Sequence, residues 1–336
     1  MKSKKTLSPK TLAQKTLLAT LLAASALSLT ALPAAAEDVV RLGNLKLAHF
    51  GAVSYTQMLT DCGIKVEERI FAKGPDIMQA MVAGELDVGA TASEAAISGR
   101  AAGAPIYIVA GFAKGGARLV AAPEAKVSKV ADLKGKKVGV TRGGIQEVLL
   151  AAELAQNNLT WSDQPGKDVQ IVYLNYPDLN QALMLKQLDA IMQTEPQGSQ
   201  AVNGGFGVEV MKPYDTAIGT PVRTLVMSEE FHDKHKAVAE KFMRCFVKAT
   251  KTFIDKPDVA SKYVRETLFK KQLTEADFNS AMGNAQYSYD IDPAQIQVTA
   301  ETMAKYGVSK MAKVPTATDY VKLDLLADAK KDLGVQ

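Results

Sequence analysis

The chain has 336 residues, of which 47% are hydrophobic and 23% charged, and its formal net charge is +4. Five lysines and no acidic residue precede position 37, so the rest of the chain carries a net charge of −1, and the electrostatic argument for a nucleic-acid partner is lost. Two cysteines and three scattered histidines exclude a disulfide framework and form no metal-binding pattern, so we expect neither a metal nor a cofactor.

Residues 1–36 are typical of a cleaved signal peptide. Lysines precede an apolar run from Leu17 to Leu32, and Ala34–Ala36 follow as a small-residue cleavage site. The run is short of the ~20 apolar residues of a membrane-spanning helix and rich in Ala, Ser and Thr, which disfavours an anchor. We therefore expect a periplasmic protein that begins at Glu37, and the 300 remaining residues favour two lobes.

Cys62 and Cys245 are the only cysteines of the chain. An oxidising compartment would permit a bridge between them. Both positions also suit packed helices, which favours two free thiols.

From Arg41 to Asp255, short apolar strands alternate with amphipathic helices, a pattern typical of mostly parallel sheets covered by helices. After Glu229 the strand signals vanish, and a helical tail follows that is typical of packing rather than chemistry. The predicted strands are Lys46–Phe50, Val66–Phe71, Leu86–Ala90, Ile106–Phe112, Leu119–Ala122, Lys137–Thr141, Val169–Leu174, Leu188–Met192, Val208–Met211 and Val222–Met227.

A strand, a glycine turn and a helix follow one another in the middle of the chain. Lys137–Thr141 predicts a buried strand, Arg142-Gly143-Gly144 a turn that needs unusual backbone freedom, and the apolar residues after it a helix. Free N–H groups at the positive end of the helix dipole could hold an anion or ligand oxygens there. A plain connection is the more frequent role of such a turn.

A weak internal repeat links the two halves. Residues 84–90 align with residues 186–192, each between two helices, which places Thr91 and Ser93 opposite Gln193 and Glu195. Facing α/β units would bring these polar turns to the carboxyl ends of their strands, where open α/β sheets bind ligands. The alternative is that any two helix–strand units look alike.

A family resemblance covers nearly all of the chain after residue 36. The segments that carry it are Asp87–Thr91, Ala101–Pro105, Asp132–Lys136, Tyr173 and Leu188–Ala190. They resemble the solute-binding proteins of ABC importers in the nitrate/taurine/alkanesulfonate, NMT1/THI5-like group. The resemblance implies an α/β, two-lobed periplasmic-binding-protein fold of type II with the ligand cleft between lobes. Lobe 1 would comprise residues 37–121 and 221–336, and lobe 2 residues 122–220.

The same resemblance implies which loops contact the ligand. In relatives these are the loop after the first strand, the turn after the strand that contains Asp87, the turn at the start of the second lobe, and the turn after Leu188–Ala190. Carried over by position, they give His49, Phe50 and Gly51; Thr91, Ala92 and Ser93; Thr141, Arg142, Gly143 and Gly144; and Gln193, Thr194 and Glu195.

The resemblance further implies a monomer that captures a small molecule for an inner-membrane permease and ATPase. Two departures speak against a taurine-like ligand: Ala92-Ser93-Glu94 replaces the Gly-Asp of sulfonate-binding relatives, and Ile191 and Met192 replace an aromatic residue. Arg142 and the glycine turn favour a small organic acid, a sulfonate or carboxylate that is aromatic or amino-substituted. A pyrimidine like a thiamine precursor and nitrate are the alternatives, and presentation of a ligand to a sensor kinase is another.

We expect no enzymatic activity. The sequence lacks a phosphate-binding glycine motif, a nucleophile elbow and a metalloprotease helix. Glu94 and Glu195 could form a carboxylate pair, although acids in the first turn of a helix more often serve its dipole. Some members of this fold are enzymes that need a Cys or His in the cleft, for which His49 or Cys62 are candidates, but no nucleophile–base spacing accompanies them.

Overall fold

A computed structural model describes residues 38–335 of the chain. The predicted signal peptide lies outside the described residues. The strands are β1 Val39–Leu45, β2 Lys65–Phe71, β3 Val88–Ala92, β4 Ile106–Gly115, β5 Ala117–Ala121, β6 Lys137–Val140, β7 Trp161–Ser162, β8 Val169–Tyr173, β9 Ala190–Thr194, β10 Val208–Met211, β11 Val222–Ser228 and β12 Ala285–Tyr287.

The α-helices lie between and after these strands. Among residues 38–335, none of them is long and apolar enough to cross a membrane. They are α1 Gly51–Tyr55, α2 Gly74–Val82, α3 Ser93–Ala101, α4 Ile145–Gln156, α5 Tyr176–Met184, α6 Gln197–Asn203, α7 Glu229–Lys234, α8 Lys236–Asp255, α9 Pro257–Lys262, α10 Glu275–Met282, α11 Pro293–Tyr306, α12 Ala317–Tyr320 and α13 Asp324–Asp332.

The strands form two sheets of six, in the orders β12-β4-β11-β3-β1-β2 and β10-β5-β9-β6-β8-β7. In the first sheet β1 pairs parallel with β2 and β3, whereas β11 runs antiparallel to both β3 and β4. In the second sheet β6 pairs parallel with β8 and β9, and β5 antiparallel with β9. Both sheets are therefore mixed, because the strands by which the chain passes between them run against their neighbours.

The chain changes sheets at Gly115 and Gly116. Both have a positive φ, 84° and 80°, which favours glycine. A Cβ on Gly115 would also lie 2.3 Å from the carbonyl oxygen of Asn284. The strand that follows, β5, pairs with β9 in the second sheet, although its residues were predicted for lobe 1. All five are buried and mostly apolar, so the strand's own sequence does not distinguish the two sheets. The rest of the lobe division stays a prediction.

Three predicted strands are displaced by two residues or more at both ends: the first, the third, and the eighth, which is Ala190–Thr194 instead of Leu188–Met192. The first lies at Val39–Leu45 rather than Lys46–Phe50, because Ala48–Phe50 forms a 3-10 turn that leads into α1. The third is Val88–Ala92 instead of Leu86–Ala90. The tail, expected to be helical, contributes the edge strand β12, which pairs with the end of β4.

The expectation of two free thiols is wrong. Cys62 and Cys245 form a disulfide with their Cα atoms 5.5 Å apart. It joins the 3-10 segment Thr60–Cys62 to α8, whose apolar face is buried in the core.

The internal repeat is confirmed by matching contacts in the two sheets. Val88 pairs with Leu42, and Ala190 pairs with Val138. The backbone N–H of Arg41 donates to Asp87 Oδ2, and that of Lys137 donates to Asp189 Oδ2, each over 2.8 Å. Strands β3 and β9 are thus equivalent, and the polar residues at their carboxyl ends belong to equivalent positions of the two sheets.

Candidate functional site

A small cavity of about 10 Å³ lies between elements of the two sheets. Its apolar wall consists of Leu45, Leu47, Phe50, Gly74 and Ala92. Its polar wall consists of Thr91, Glu94 and Arg223 from the first sheet and its helices, and of Gln146, Tyr176 and Thr194 from the second. A cavity of this volume holds about one water molecule.

The two halves of the molecule touch around this cavity. Gly143 has a φ of 71°, which confirms the unusual backbone predicted for its turn. A Cβ on Gly143 would lie 3.4 Å from the ring of Pro75, which belongs to the other half. Helix α11 packs against both α3 and α4. The structure is thus closed over the cavity, and a larger solute can enter only if the halves separate.

Arg223 is the buried cation of the site. It is 1% exposed, and its Nε donates to His49 Nε2 over 3.0 Å. Its Nη2 donates to the carbonyl oxygens of Gly115, at 2.7 Å, and Gly116, at 3.3 Å. Burial, together with the charge of Arg223, lowers the pKa of His49 well below its ordinary value, an effect that the backbone of Glu195 only partly opposes. A neutral His49 therefore holds Arg223 from behind the cavity.

The carbonyl oxygen of Gly116 collects donors from both halves. Besides Arg223, it accepts from Gln146 Nε2 at 3.4 Å and from Thr194 Oγ1 at 3.2 Å. Three donors exceed the two lone pairs of a carbonyl oxygen. The Gly116 oxygen therefore cannot satisfy all three donors at once. Because all three lie in the cavity wall, a solute oxygen can accept a hydrogen bond from the one that remains.

Gln146 is oriented by Tyr176. The Tyr176 hydroxyl donates to Gln146 Oε1 over 2.6 Å, and burial raises the pKa of Tyr176 above its ordinary value. The tyrosine stays protonated at neutral pH, so the Gln146 amide group is left to donate.

Glu94 is the buried acid of the site. It lies in the first turn of α3, is 3% exposed, and its Oε2 has no hydrogen-bond partner among the described residues. Burial raises the pKa of Glu94 to about 7, although Arg223 and nearby backbone N–H groups favour its ionised form. The hydroxyl of Thr91, also in the cavity wall, is likewise buried and has no hydrogen-bond partner within residues 38–335.

The structure places the predicted ligand contacts in several different environments. Phe50, Thr91, Ala92 and Thr194 line the cavity. The remaining buried ones lie outside its wall: His49, Gly51, Ser93, Thr141, Gly144, Gln193 and Glu195.

Two of the residues outside the wall, Gln193 and Glu195, form hydrogen bonds with other residues of the protein. Gln193 Nε2 donates to the carbonyl oxygen of Tyr176 and to Asn180 Oδ1, at 3.1 and 3.0 Å. Glu195 accepts from Arg118 and Asn284, each at 2.9 Å. Within residues 38–335, Glu94 and Glu195 thus share no hydrogen-bond partner, and Glu195 binds Arg118 of the second sheet and Asn284 beside β12 of the first.

The predicted anion site at Arg142 lies outside the cavity. The Arg142 guanidinium is largely exposed, pairs with Asp163 at 2.8 Å, and lies 3.7 Å above the ring centre of Tyr173. The N–H of Gly143 donates to Glu147 Oε2 over 2.6 Å, and that of Gly144 to the Thr141 carbonyl over 3.2 Å. The turn uses its N–H groups within its own loop.

Sequence reasoning missed Arg223, Gln146 and Tyr176. Arg223 is the only charged residue of the buried strand β11, and a charge in a buried strand signals a partner or a ligand. Gln146 and Tyr176 stand in the first turns of the helices after β6 and β8, the positions to which the rule for open α/β sheets already pointed. Within residues 38–335, no group of three or more His, Cys, Asp or Glu is placed to hold a metal ion.

Residues 38–266 match the sequence profile of the NMT1-like family, and the chain belongs to this family. This confirms the resemblance found in the sequence. An Escherichia coli K12 protein named for binding aliphatic sulfonates is 33% identical over 144 residues, 42% of this chain and 43% of that relative. The match thus spans less than half the length of that relative.

Solved structures share the fold. The alkanesulfonate-binding protein of Xanthomonas axonopodis pv. citri, solved with MOPS, has a TM-score of 0.71 at 18% identity over 84% of this chain and 97% of that one. The periplasmic nitrate-binding protein of Synechocystis PCC 6803 has a TM-score of 0.72 at 16% identity over 89% of each chain. The predicted periplasmic-binding-protein fold is confirmed.

Proposed function

We propose that the chain is the solute-binding component of an ABC importer, which captures a small organic solute between its two sheets. The observation that carries this proposal is the cavity wall, in which Arg223 of the first sheet faces Gln146 and Thr194 of the second half. A solute that bridges these groups binds only the closed form, so its binding favours closure. The family and the names of the relatives support the same role.

We place the protein in the periplasm, where it delivers the solute to an inner-membrane permease and ATPase. The disulfide between Cys62 and Cys245 supports this compartment, because disulfides persist in oxidising environments. The periplasmic names of relatives agree with it.

Capture without turnover fits the two residues that were candidates for catalysis. His49 accepts a hydrogen bond from Arg223 at Nε2, and its lowered pKa disfavours taking up a proton. Cys62 is consumed by the disulfide. Among the described residues, the cavity wall contains no Ser, Cys or Lys.

The chemistry of the wall defines the solute's general character. Arg223, Gln146 and Thr194 offer donors to an acid or carbonyl oxygen, while Leu45, Leu47 and Phe50 offer an apolar surface to a carbon skeleton. An organic acid uses both surfaces. A pyrimidine is the second candidate, because Glu94 and Gln146 could pair with ring N–H and carbonyl groups. Nitrate has no carbon skeleton for the apolar wall.

Thermal unfolding in the presence of a solute panel tests the proposal. The panel contains sulfonates, carboxylates, amino acids, pyrimidines and nitrate. A solute at 100 times its dissociation constant adds about 2.7 kcal/mol to the free energy of unfolding. At least one solute should raise the melting temperature, and a folded, solute-free protein that responds to none contradicts capture.

A pair of variants then locates the binding. Thr194→Val removes a cavity-lining hydroxyl while it keeps the side-chain shape, and it should weaken binding of the solute identified. Thr250→Val makes the same change at a buried hydroxyl on α8, outside the cavity, and should leave affinity unchanged.

A further inference from the structure

Two helices begin at the carboxyl group of Glu94. Helix α3 starts at Ser93 and has nine residues, and α4 starts at Ile145 and has twelve. The backbone N–H groups of Glu94 and Ala95, and that of Ile145 across the cavity, stabilise the ionised carboxyl. Arg223 acts on it in the same direction. Two helix N-termini and an arginine are an arrangement that binds anions.

The chain therefore supplies its own carboxyl group at this position, which carries a negative charge once the pH exceeds its raised pKa of about 7. Glu94 is 3% exposed and lies in the cavity wall, so its carboxyl group stays between the two helix starts. A free anion that entered the closed cavity would meet like charge where the helix dipoles would otherwise attract it. The unpartnered Oε2 calls instead for a hydrogen-bond donor.

The other groups that face Glu94 add no second positive charge. Among residues 38–335, Arg223 on β11 is the only Lys or Arg in the cavity wall, and Thr91 on β3 and Tyr176 on α5 are uncharged there. His49, which lies behind Arg223, is neutral. One cation and one acid therefore balance within the cavity.

We infer that Glu94 is the specificity-determining residue of the site: it excludes solutes with a net negative charge and selects a zwitterionic or neutral solute that donates an N–H to Oε2. This inference rests on the proposed function. The acid or carbonyl oxygen of the same solute meets Arg223, Gln146 and Thr194. Recognition at both ends distinguishes such a solute from a plain sulfonate or carboxylate.

Matched pairs of probes test this inference by isothermal titration calorimetry at about pH 8, where Glu94 is mostly ionised. Taurine differs from ethanesulfonate, and β-alanine from propionate, by one amino group. Wild type should bind at least one amino compound about tenfold or more tightly than its partner, the contribution of a charge-assisted hydrogen bond. Glu94→Gln removes the negative charge at nearly the same volume, and ethanesulfonate should then bind about tenfold more tightly than it binds wild type.

Glu147→Gln is the control, because it makes the same substitution in the first turn of α4 with a side chain outside the cavity. It should leave both ratios unchanged. Glu94→Ala serves as the second variant if the glutamine protein unfolds, and thermal unfolding confirms the fold of each. Equal binding of the two members of both pairs by wild type, or unchanged ratios in the Glu94 variants, overturns the inference. So does the absence of ethanesulfonate binding in those variants, because the freed helix starts should hold a sulfonate.

Failure of this inference is distinguishable from failure of the proposed function. If wild type captures a plain anion from the thermal panel and the Glu94 variants bind it no better, only the role of Glu94 is wrong. If no solute of the whole panel binds wild type, the proposed function itself is contradicted.

Discussion

Arg223 donates from Nε to His49 Nε2 over 3.0 Å, and both side chains are fully enclosed. The pair ties the loop after β1 to β11, and the same guanidinium binds the carbonyl groups of Gly115 and Gly116, where the chain changes sheets. The cation that Arg223 contributes to the cavity wall is therefore anchored to the crossover. His49, a predicted ligand contact, acts as a positioning residue that orients this arginine.

His49→Ala should destabilise the protein by about 2–4 kcal/mol, because it leaves Arg223 Nε without an acceptor and opens a cavity. His49→Gln, which retains an acceptor oxygen, should lose less. Urea unfolding at neutral pH measures both. Equal losses for the two variants would show that packing, not the hydrogen bond to Arg223, is the role of His49.

Arg142 and Arg223 should respond differently to substitution. Arg142→Ala should leave solute affinity nearly unchanged, because its exposed guanidinium pairs with Asp163. Arg223→Lys keeps the charge but loses the forked geometry, and should weaken binding of the solute identified by about tenfold or more. Calorimetric titration distinguishes them. A larger loss of solute affinity in Arg142→Ala than in Arg223→Lys would show that the solute's acid group binds at the glycine turn.

Stability should depend on pH through Glu94. Its pKa is raised from 4.5 to about 7 in the folded protein, so the folded state binds more protons than the unfolded state between those values. The contribution is fully present below pH 4.5 and is lost as pH rises through 7.

A comparison with Glu94→Gln isolates this effect. His49, whose pKa is lowered, contributes the opposite slope below its unfolded pKa, but it does so in both proteins. Relative to the variant, wild type should lose up to about 3 kcal/mol of unfolding free energy between pH 4.5 and 7. Urea unfolding across this range measures the difference. A difference that is constant with pH would mean that Glu94 keeps an ordinary pKa.

The disulfide should contribute substantially to stability, because 183 positions separate Cys62 and Cys245. Closing so long a loop restricts the unfolded chain, and we expect the Cys62→Ala, Cys245→Ala double variant to lose about 2–5 kcal/mol. Urea unfolding of the two proteins without reductant measures the loss. Reductant should lower the stability of wild type and leave the double variant unchanged, whereas equal responses would contradict the role of the bridge.

The α/β alternation and the repeat could be predicted from sequence because both depend on local patterns. The equivalence of Asp87 and Asp189 followed from two similar segments, which placed Thr91 and Ser93 opposite Gln193 and Glu195. Of these four residues, Thr91 lines the cavity and the others do not. The sheet to which a strand belongs depends on its pairing with a strand far away in the sequence, which local patterns do not show. The buried strand β5 suits either sheet by composition, and its pairing with β9 decided the matter.

Charge in the site was harder to predict. Arg142 stands in the expected turn, but Asp163 and Tyr173 hold its side chain outside. Arg223 lines the cavity from β11, a strand that pairs with β4 about a hundred residues after β4 ends. No local sequence pattern connects β11 to the glycine turn. Residues brought together across the sheets require the fold to be known first.

Trp161 is placed to serve as a fluorescence probe of the contact between the two halves. It is the only tryptophan, lies on β7 of the second sheet, and packs edge-on to Tyr306 with ring centres 6.1 Å apart. Tyr306 ends α11, which packs on α4 as well as on α3, and whose buried residues Ile296 and Met303 belong to the core of the first sheet. Separation of the halves would move these two rings apart and change the surroundings of the indole.

Titration of each panel solute against Trp161 fluorescence therefore tests the central claim, capture of a solute by closure between the two sheets. A solute that binds by calorimetry should change the emission in a saturable way, with a midpoint equal to the calorimetric dissociation constant. Thr194→Val should shift that midpoint to higher concentration. Calorimetric binding without any change in Trp161 emission, or no saturable change with any solute of the panel, would contradict the account.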